Sequence, residues 1–400
     1  RALRLTLLGS LTTCILAAEL TPQQRGEVFE AVWRAVHEHF YDARFRGVDW
    51  AALEAPQRER FRRARNDAEV EQLIRALLGT LRNSHLGFSS REDARLRTGV
   101  LPFLFERAGG RVFVIESRTE LLRAGDEILS VDGRPANALA LPLPRYLQPV
   151  RENPYRGEVG SVAKVEALSG EQHVQVRLER VRRGEEAAAF ELERPAEGIG
   201  YLRVRRMPQG EALRSLLAEC QSLRALALDL RNCPGGVLES SLPLVSFFLG
   251  PGLDFYLHRP RSWRATLTYG ADPPNTAEVE ALINQGAAVQ LRTYDYRARF
   301  TGPLAVLVNE YTASEAELIV AALQEHQRAR VFGRRTNGAV SGWSRATELP
   351  HDFGSVAIPY TSALTPRGRD LEGLGIEPDE KVANMPSDLR GRRDRVLEGR

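Results

Sequence analysis

Lysine is nearly missing from this chain of 400 residues. All but two of its 55 basic side chains are arginine, and the exceptions are Lys164 and Lys381. Chemistry that rests on a lysine base therefore has two positions to draw on. Cysteine is equally scarce: Cys14, Cys220 and Cys233. That count excludes a disulfide framework or a cysteine zinc site, and one bridge between Cys220 and Cys233 is the most that fits. Histidines are few and badly spaced for a local metal motif. His37 and His39 sit two apart on one expected helix and so diverge, and His85 has no histidine near it in the chain. No metal and no cofactor is expected. A formal net charge of +3 gives no footing for a nucleic-acid partner. The apolar stretch at 5–18 is too short to span a bilayer comfortably, so no stable membrane span is expected.

That stretch follows Arg1 and Arg4 and ends in small residues. It reads as a secretory signal over 1–18, cut near Ala17 or Ala18, which implies export to the periplasm or the medium. The lack of an initiator Met suggests a chain clipped at its start. Residues 11–14 faintly resemble a lipoprotein signal, but apolar residues continue past Cys14.

The length suggests two or three domains. Residues 19–95 read as helical. Val28, Val32, Trp33, Val36 and Phe40 form one apolar stripe; Val70, Leu73, Ile74, Leu77 and Leu78 form a second over 67–81. Residues 96–194 read as β-rich, with a hairpin turn at Asp132-Gly133, alternation over 173–181 and a proline-spaced connector at 135–154. An α/β pattern fills 195–385. Strands at 199–204, 225–230 and 304–308 are each followed by a helix, 258–275 reads as a polar loop, and 386–400 reads as a loose, charged tail.

Four loops in this frame carry chemistry. Ser314 stands between the strand 304–308 and a helix over 315–327, as either a nucleophile or a simple helix cap. Gly235 and Gly236 lie in the turn of a second strand–turn–helix unit, where bare backbone amides can face a site. Ser84 and His85 sit just past a helix, and a loop histidine is often only a surface residue. Glu372 lies in an acidic turn, where Asp370, Glu377 and Asp379 compete for its role. Together these loops supply a nucleophile, a base, an orienting carboxylate and oxyanion donors. Cys233 is a nucleophile in principle, but its apolar setting reads as packing.

The stretches LALDLRNCPGG (226–236), TASEAELIVAALQEH (312–326) and LEGLGIEPD (371–379) resemble the signatures of the C-terminal processing, or tail-specific, peptidases. VHEHFYDARFRGVDW (36–50) and LRNSHLGF (81–88) fit the same superfamily. The resemblance implies a crotonase-like α/β core, an N-terminal helical region and an inserted PDZ-like domain. AGDEILSVDG (124–133) resembles that domain's most recognisable run, with residues 99–103 as the candidate carboxylate loop. Gly99, Val100, Leu101 and Phe103 would then bind a substrate's C-terminal end through backbone amides. The processing peptidases use a Ser–Lys dyad, and Ala339 stands where their lysine should be. The tricorn core protease branch resembles a Ser–His hydrolase with an added Ser and a Glu. That resemblance implies Ser314 as nucleophile, His85 as base, Ser84 and Glu372 as relay, and the amides of Gly236 (or Gly235) and Glu315 as oxyanion hole. The expected partner is a protein or peptide substrate. The alternative is an inactive relative that binds a ligand or peptide, as the interphotoreceptor retinoid-binding proteins do. The sequence does not give the oligomeric state.

Overall fold

A computed structural model describes residues 19–95, 97–136 and 155–398. The expected signal segment and nearly all of the 135–154 connector lie outside the described residues.

The helix Pro22–His39 starts at Thr21. The Thr21 hydroxyl accepts from the Gln24 amide (3.3 Å), and the Gln24 side chain accepts from the Thr21 amide (2.9 Å), a reciprocal cap. Its apolar stripe packs with that of the helix Asp67–Gly79. A further helix, Trp50–Arg62, lies within the span read as helical but shows no apolar stripe of its own. It buries only Trp50 and Phe61, near its two ends, and carries Pro56 between them. This apolar cluster also takes in Leu349, Phe353, Val356 and Ile358 from far along the chain. The strand Gly87–Ser90 pairs antiparallel with Gly354–Pro359, which docks the loop bearing Ser84 and His85 onto the C-terminal half.

The central sheet has six strands in the order Phe190–Ala196, Ile199–Val204, Ala225–Asp229, Leu304–Val308, Arg330–Gly333 and Glu380–Lys381. All neighbours after the first hairpin are parallel. Leu304–Val308 is almost wholly buried, as a central parallel strand must be. Helices Gly210–Gln221, Leu238–Leu249 and Glu315–Glu325 pack on this sheet in one continuous core. The loops leaving the carboxyl ends of neighbouring strands, at 230–237 and 309–314, therefore lie side by side, where open α/β sheets hold their sites.

A second sheet runs in the order Phe103–Ala108, Arg111–Ser117, Glu127–Val131, Val162–Ser169 and Gln172–Glu179, with its own core. Asp132 and Gly133 both have positive φ, +50° and +76°, as a two-residue hairpin turn requires.

Two expectations fail here. Residues 258–275 are not a loop: they include the end of strand Asp254–Pro260 and the strand Ala265–Tyr269. The latter is the edge of a four-stranded sheet, so its polarity reflects solvent on an unpaired side rather than absence of structure. Residues 386–398 of the expected tail are not loose either. Leu389 packs with Ala108 and Phe113, Arg390 pairs with Glu127 (2.8 Å), and Arg231 bonds Asp394 (2.8 Å). Charges that looked solvated are spent on partners in both sheets.

His258 lies fully buried on Asp254–Pro260, between Tyr256 (4.9 Å) and Trp343 (4.3 Å), with Nδ1 3.3 Å from the Thr361 hydroxyl. Burial lowers its pKa from 6.5 to about 3, so the folded protein holds it neutral. A depressed folded pKa gives stability that is present above the unfolded value and lost as pH falls through 6.5 toward 3. Between pH 7.5 and 5 this group should cost about 2 kcal/mol. Melting curves of the protein and of His258→Phe at both pH values check this. The variant should show the shallower acid loss; equal losses would refute it.

Candidate active site

Ser314 occupies the N-cap position of Glu315–Glu325 with φ +59° and ψ −131°. A non-glycine residue in this region is strained by roughly 1–3 kcal/mol and needs support from its surroundings. The loop before it supplies that support. Thr312 is buried and donates to the Leu230 carbonyl (2.9 Å), while the Ala313 amide donates to the Cys233 carbonyl (3.0 Å). Asn309 and Asn232 exchange two hydrogen bonds, of 3.0 and 3.2 Å. The serine turn and the glycine turn are thus laced together.

Gly235, at φ +99°, lies directly against the serine. A Cβ there would fall 2.8 Å from the Ser314 Cβ and 2.9 Å from the Glu315 amide nitrogen. The Glu315 amide is among the first N–H groups of its helix, which have no partner within the helix. Its side chain points inward and accepts from the Tyr256 hydroxyl (2.7 Å). Burial raises its pKa to about 7. Cys233 and Cys220 are both buried and free, so the one disulfide the sequence allowed is not formed. Burial pushes each thiol up to about 12, which removes Cys233 as a nucleophile.

Glu372, Ser84 and His85 are brought together from opposite ends of the chain. The Ser84 hydroxyl donates to Glu372 Oε2 (2.8 Å) and lies 2.8 Å from His85 Nδ1; the Ser84 amide donates to Glu372 Oε1 (2.5 Å). Ser84 has one hydroxyl proton, and the carboxylate takes it. Nδ1 must then donate, which leaves the lone pair on Nε2. Burial raises the Glu372 pKa, and the Ser84 donors, the Arg46 charge and the Val340 amide oppose that rise. The competing carboxylates are elsewhere. Asp370 accepts from the Glu372 amide, Glu377 pairs with Arg335 and Lys381 at the surface, and Asp379 accepts from the Val331 amide.

Sequence reasoning missed Asn83, which is fully buried. Its Oδ1 accepts from the His85 and Leu86 amides (3.0 and 3.2 Å) and its Nδ2 donates to Ser341. An asparagine two residues before a candidate base, able to form such a turn, was the available signal.

Neither lysine approaches the role of a buried base. Lys164 is exposed in the second sheet beside Glu166 (3.3 Å), and Lys381 is exposed beside Glu377 (3.1 Å).

The expected carboxylate loop at 99–103 is not one. Gly99 and Val100 lie in a strand, Thr98–Val100, paired on both sides. The Leu101 amide donates to Tyr155 (3.2 Å) and that of Phe103 to the Leu101 carbonyl (2.8 Å). Leu101 and Phe103 are buried. A glycine and a proline around two apolar residues read as a turn, but the strands at 156–158 and 181–182 claim the backbone.

A serine at a strained strand-to-helix turn, on the carboxyl edge of a parallel sheet, stands where a hydrolase can expose a nucleophile. The comparisons are specific. Residues 198–382 match the model of peptidase family S41, and residues 21–79 match that of the tricorn protease C1 domain. The chain thus carries a peptidase family S41 domain, and the curated relatives it resembles are carboxyl-terminal-processing proteases. It is 26% identical over 382 residues to the carboxyl-terminal-processing protease of Synechocystis sp., covering 88% of this chain and 79% of that one. It is 30% identical over 199 residues to the protein of the same description from Picosynechococcus sp., covering 48% and 41%. Among solved structures, the photosystem II D1 C-terminal processing protease aligns with a TM-score of 0.58 at 22% identity, covering 94% and 96%. Mature CPAF aligns at 0.64 and 15% identity, covering 93% and 94%. These two likenesses establish the fold: mixed α/β, with N-terminal helices and several sheets.

Proposed function

We propose that this chain cuts protein or peptide substrates through an acyl-enzyme formed on Ser314, with His85 rather than a lysine as base. The observation that carries this reading is the hydrogen-bonded chain Glu372–Ser84–His85, beside a site where Ala339 replaces the family's lysine. His85 Nε2 takes the Ser314 proton as Oγ attacks the scissile carbonyl. The oxyanion is held by the amides of Gly236 and Glu315. The imidazolium, stabilised through Ser84 by Glu372, returns the proton to the leaving amine, and water then repeats the cycle on the ester. Residues 19–95 are taken as a helical domain, 96–194 as a PDZ-like insertion and 195–385 as a crotonase-like peptidase core. Within the insertion, Phe103–Ala108 is an edge strand of its sheet among the described residues and suits an added peptide strand better than the doubly paired segment before it. Export directed by residues 1–18 completes the reading; among the described residues no helix is long and apolar enough to cross a membrane.

The test is a fluorophosphonate label. The protein should be modified on Ser314 and should hydrolyse a chromogenic peptide. A protein that neither labels nor turns over would instead be the ligand-binding relative.

A further inference from the structure

The catalytic steps make no use of Glu317, yet it is wholly buried on the first turn of Glu315–Glu325. Its carboxylate is saturated. Oε1 accepts from the Thr336 hydroxyl (2.5 Å) and the Gly338 amide (2.8 Å). Oε2 accepts from the Ala339 amide (2.9 Å) and the Ser314 amide (3.1 Å). A carboxylate has about four acceptor positions, and here each is met by a donor. Burial pushes its pKa up to about 7 against the pull of those donors.

The segment Glu317 holds is also held from its far end. The Val340 amide donates to Glu372 Oε2 (3.0 Å), the same oxygen that takes the Ser84 proton. Between the two carboxylates, Gly338 has φ +75° and its carbonyl accepts from the Gly373 amide (2.7 Å). A Cβ on Gly338 would fall 2.8 Å from the Gly375 nitrogen and 2.9 Å from that of Leu374. Thr336 exchanges two further bonds with Ile376, of 3.1 and 2.7 Å. Three residues, 338–340, therefore run from a carboxylate bonded to the Ser314 backbone to the carboxylate behind Ser84.

We propose that Glu317 is a positioning residue: by gripping Ser314, Gly338 and Ala339 together, it fixes the nucleophile's strained backbone relative to the Glu372–Ser84–His85 relay. This rests on the reading of Ser314 as nucleophile. The residue at 339 contributes its amide to the frame. A mere helix cap would behave differently, because its loss lowers stability and leaves the rate per folded molecule unchanged.

The experiment compares the parent protein with Glu317→Gln, Glu372→Gln and the double variant. The readouts are the rate of fluorophosphonate labelling, and kcat and KM on a chromogenic peptide, each normalised to the folded fraction. Glutamine keeps the shape but turns an NH₂ toward donors. Glu317→Gln should lower kcat and labelling by roughly 10²-fold, as a displacement of about 1 Å does, with KM little changed. The double variant should be about as slow as the slower single, because both changes release one segment. Should Glu317→Gln fail to fold, Thr336→Val removes one donor to Glu317, together with the acceptor for the Ile376 amide, and should lower kcat several-fold at unchanged KM. A normal kcat in the folded variant, or effects that multiply in the double, overturns the proposal while leaving Ser314 as nucleophile. An unlabelled, inactive parent protein overturns both.

Discussion

His85→Ala is expected to lower kcat by roughly 10³-fold or more, matching Ser314→Ala, because nucleophile and base act as a unit. A serine hydroxyl is a weak nucleophile at neutral pH and needs a neighbouring base. A lysine serves as base only when burial keeps it neutral, and Lys164 and Lys381 are both exposed and ion-paired. Lys164→Ala and Lys381→Ala should therefore leave kcat almost unchanged. Glu372→Gln should cost less than His85→Ala, since it acts on the imidazole through Ser84. Activity should rise with pH through neutrality, as expected of a histidine base losing its proton. Steady-state kinetics of these variants on a chromogenic peptide decide the matter. Near-normal kcat in His85→Ala, with a dead lysine variant, would establish a displaced Ser–Lys dyad.

Gly235→Ala should be nearly as damaging, at roughly 10²–10³-fold in kcat, the loss that follows when an oxyanion donor is removed. Its added methyl would sit 2.8 Å from the Ser314 Cβ and 2.9 Å from both the Ala313 carbonyl oxygen and the Glu315 nitrogen, closer than such atoms come. The backbone also disfavours a side chain, at φ +99°. The neighbours that must move are the nucleophile and one proposed oxyanion donor, so the damage falls on transition-state binding. KM for the peptide should change far less than kcat, and the variant should still melt cooperatively. An active Gly235→Ala protein would mean that these amides do not hold the oxyanion.

The strand-to-helix turn at Ser314 and the glycine pair at 235–236 were legible in the sequence, and the resemblance to the processing peptidases implied the missing lysine at 339. The first two are local matters: buried strands, helical periodicity and turn residues reveal themselves within a dozen positions. Local reading failed where partners are remote. It took residues 99–103 for an open loop because it could not see the strands at 156–158 and 181–182 close over them. It took residues 386–400 for a loose tail because the partners of Arg390 and Asp394, Glu127 and Arg231, lie more than a hundred residues away.

What the sequence by itself narrowed was the set of candidate groups: a serine, a histidine and several carboxylates in loops, with only two lysines in the chain. Which carboxylate meets Ser84 was decided only by the tertiary structure. Asp370, Glu372, Glu377 and Asp379 are alike in type and spacing, and nothing local separates them. Glu372 alone among them meets Ser84, across 288 residues of chain, because pairing of Gly87–Ser90 with Gly354–Pro359 and of residue 338 with residue 373 brings those loops together. Glu317 emerged only for the same reason: its role is written in donors from 314, 336, 338 and 339 that converge through packing, and no periodicity records convergence.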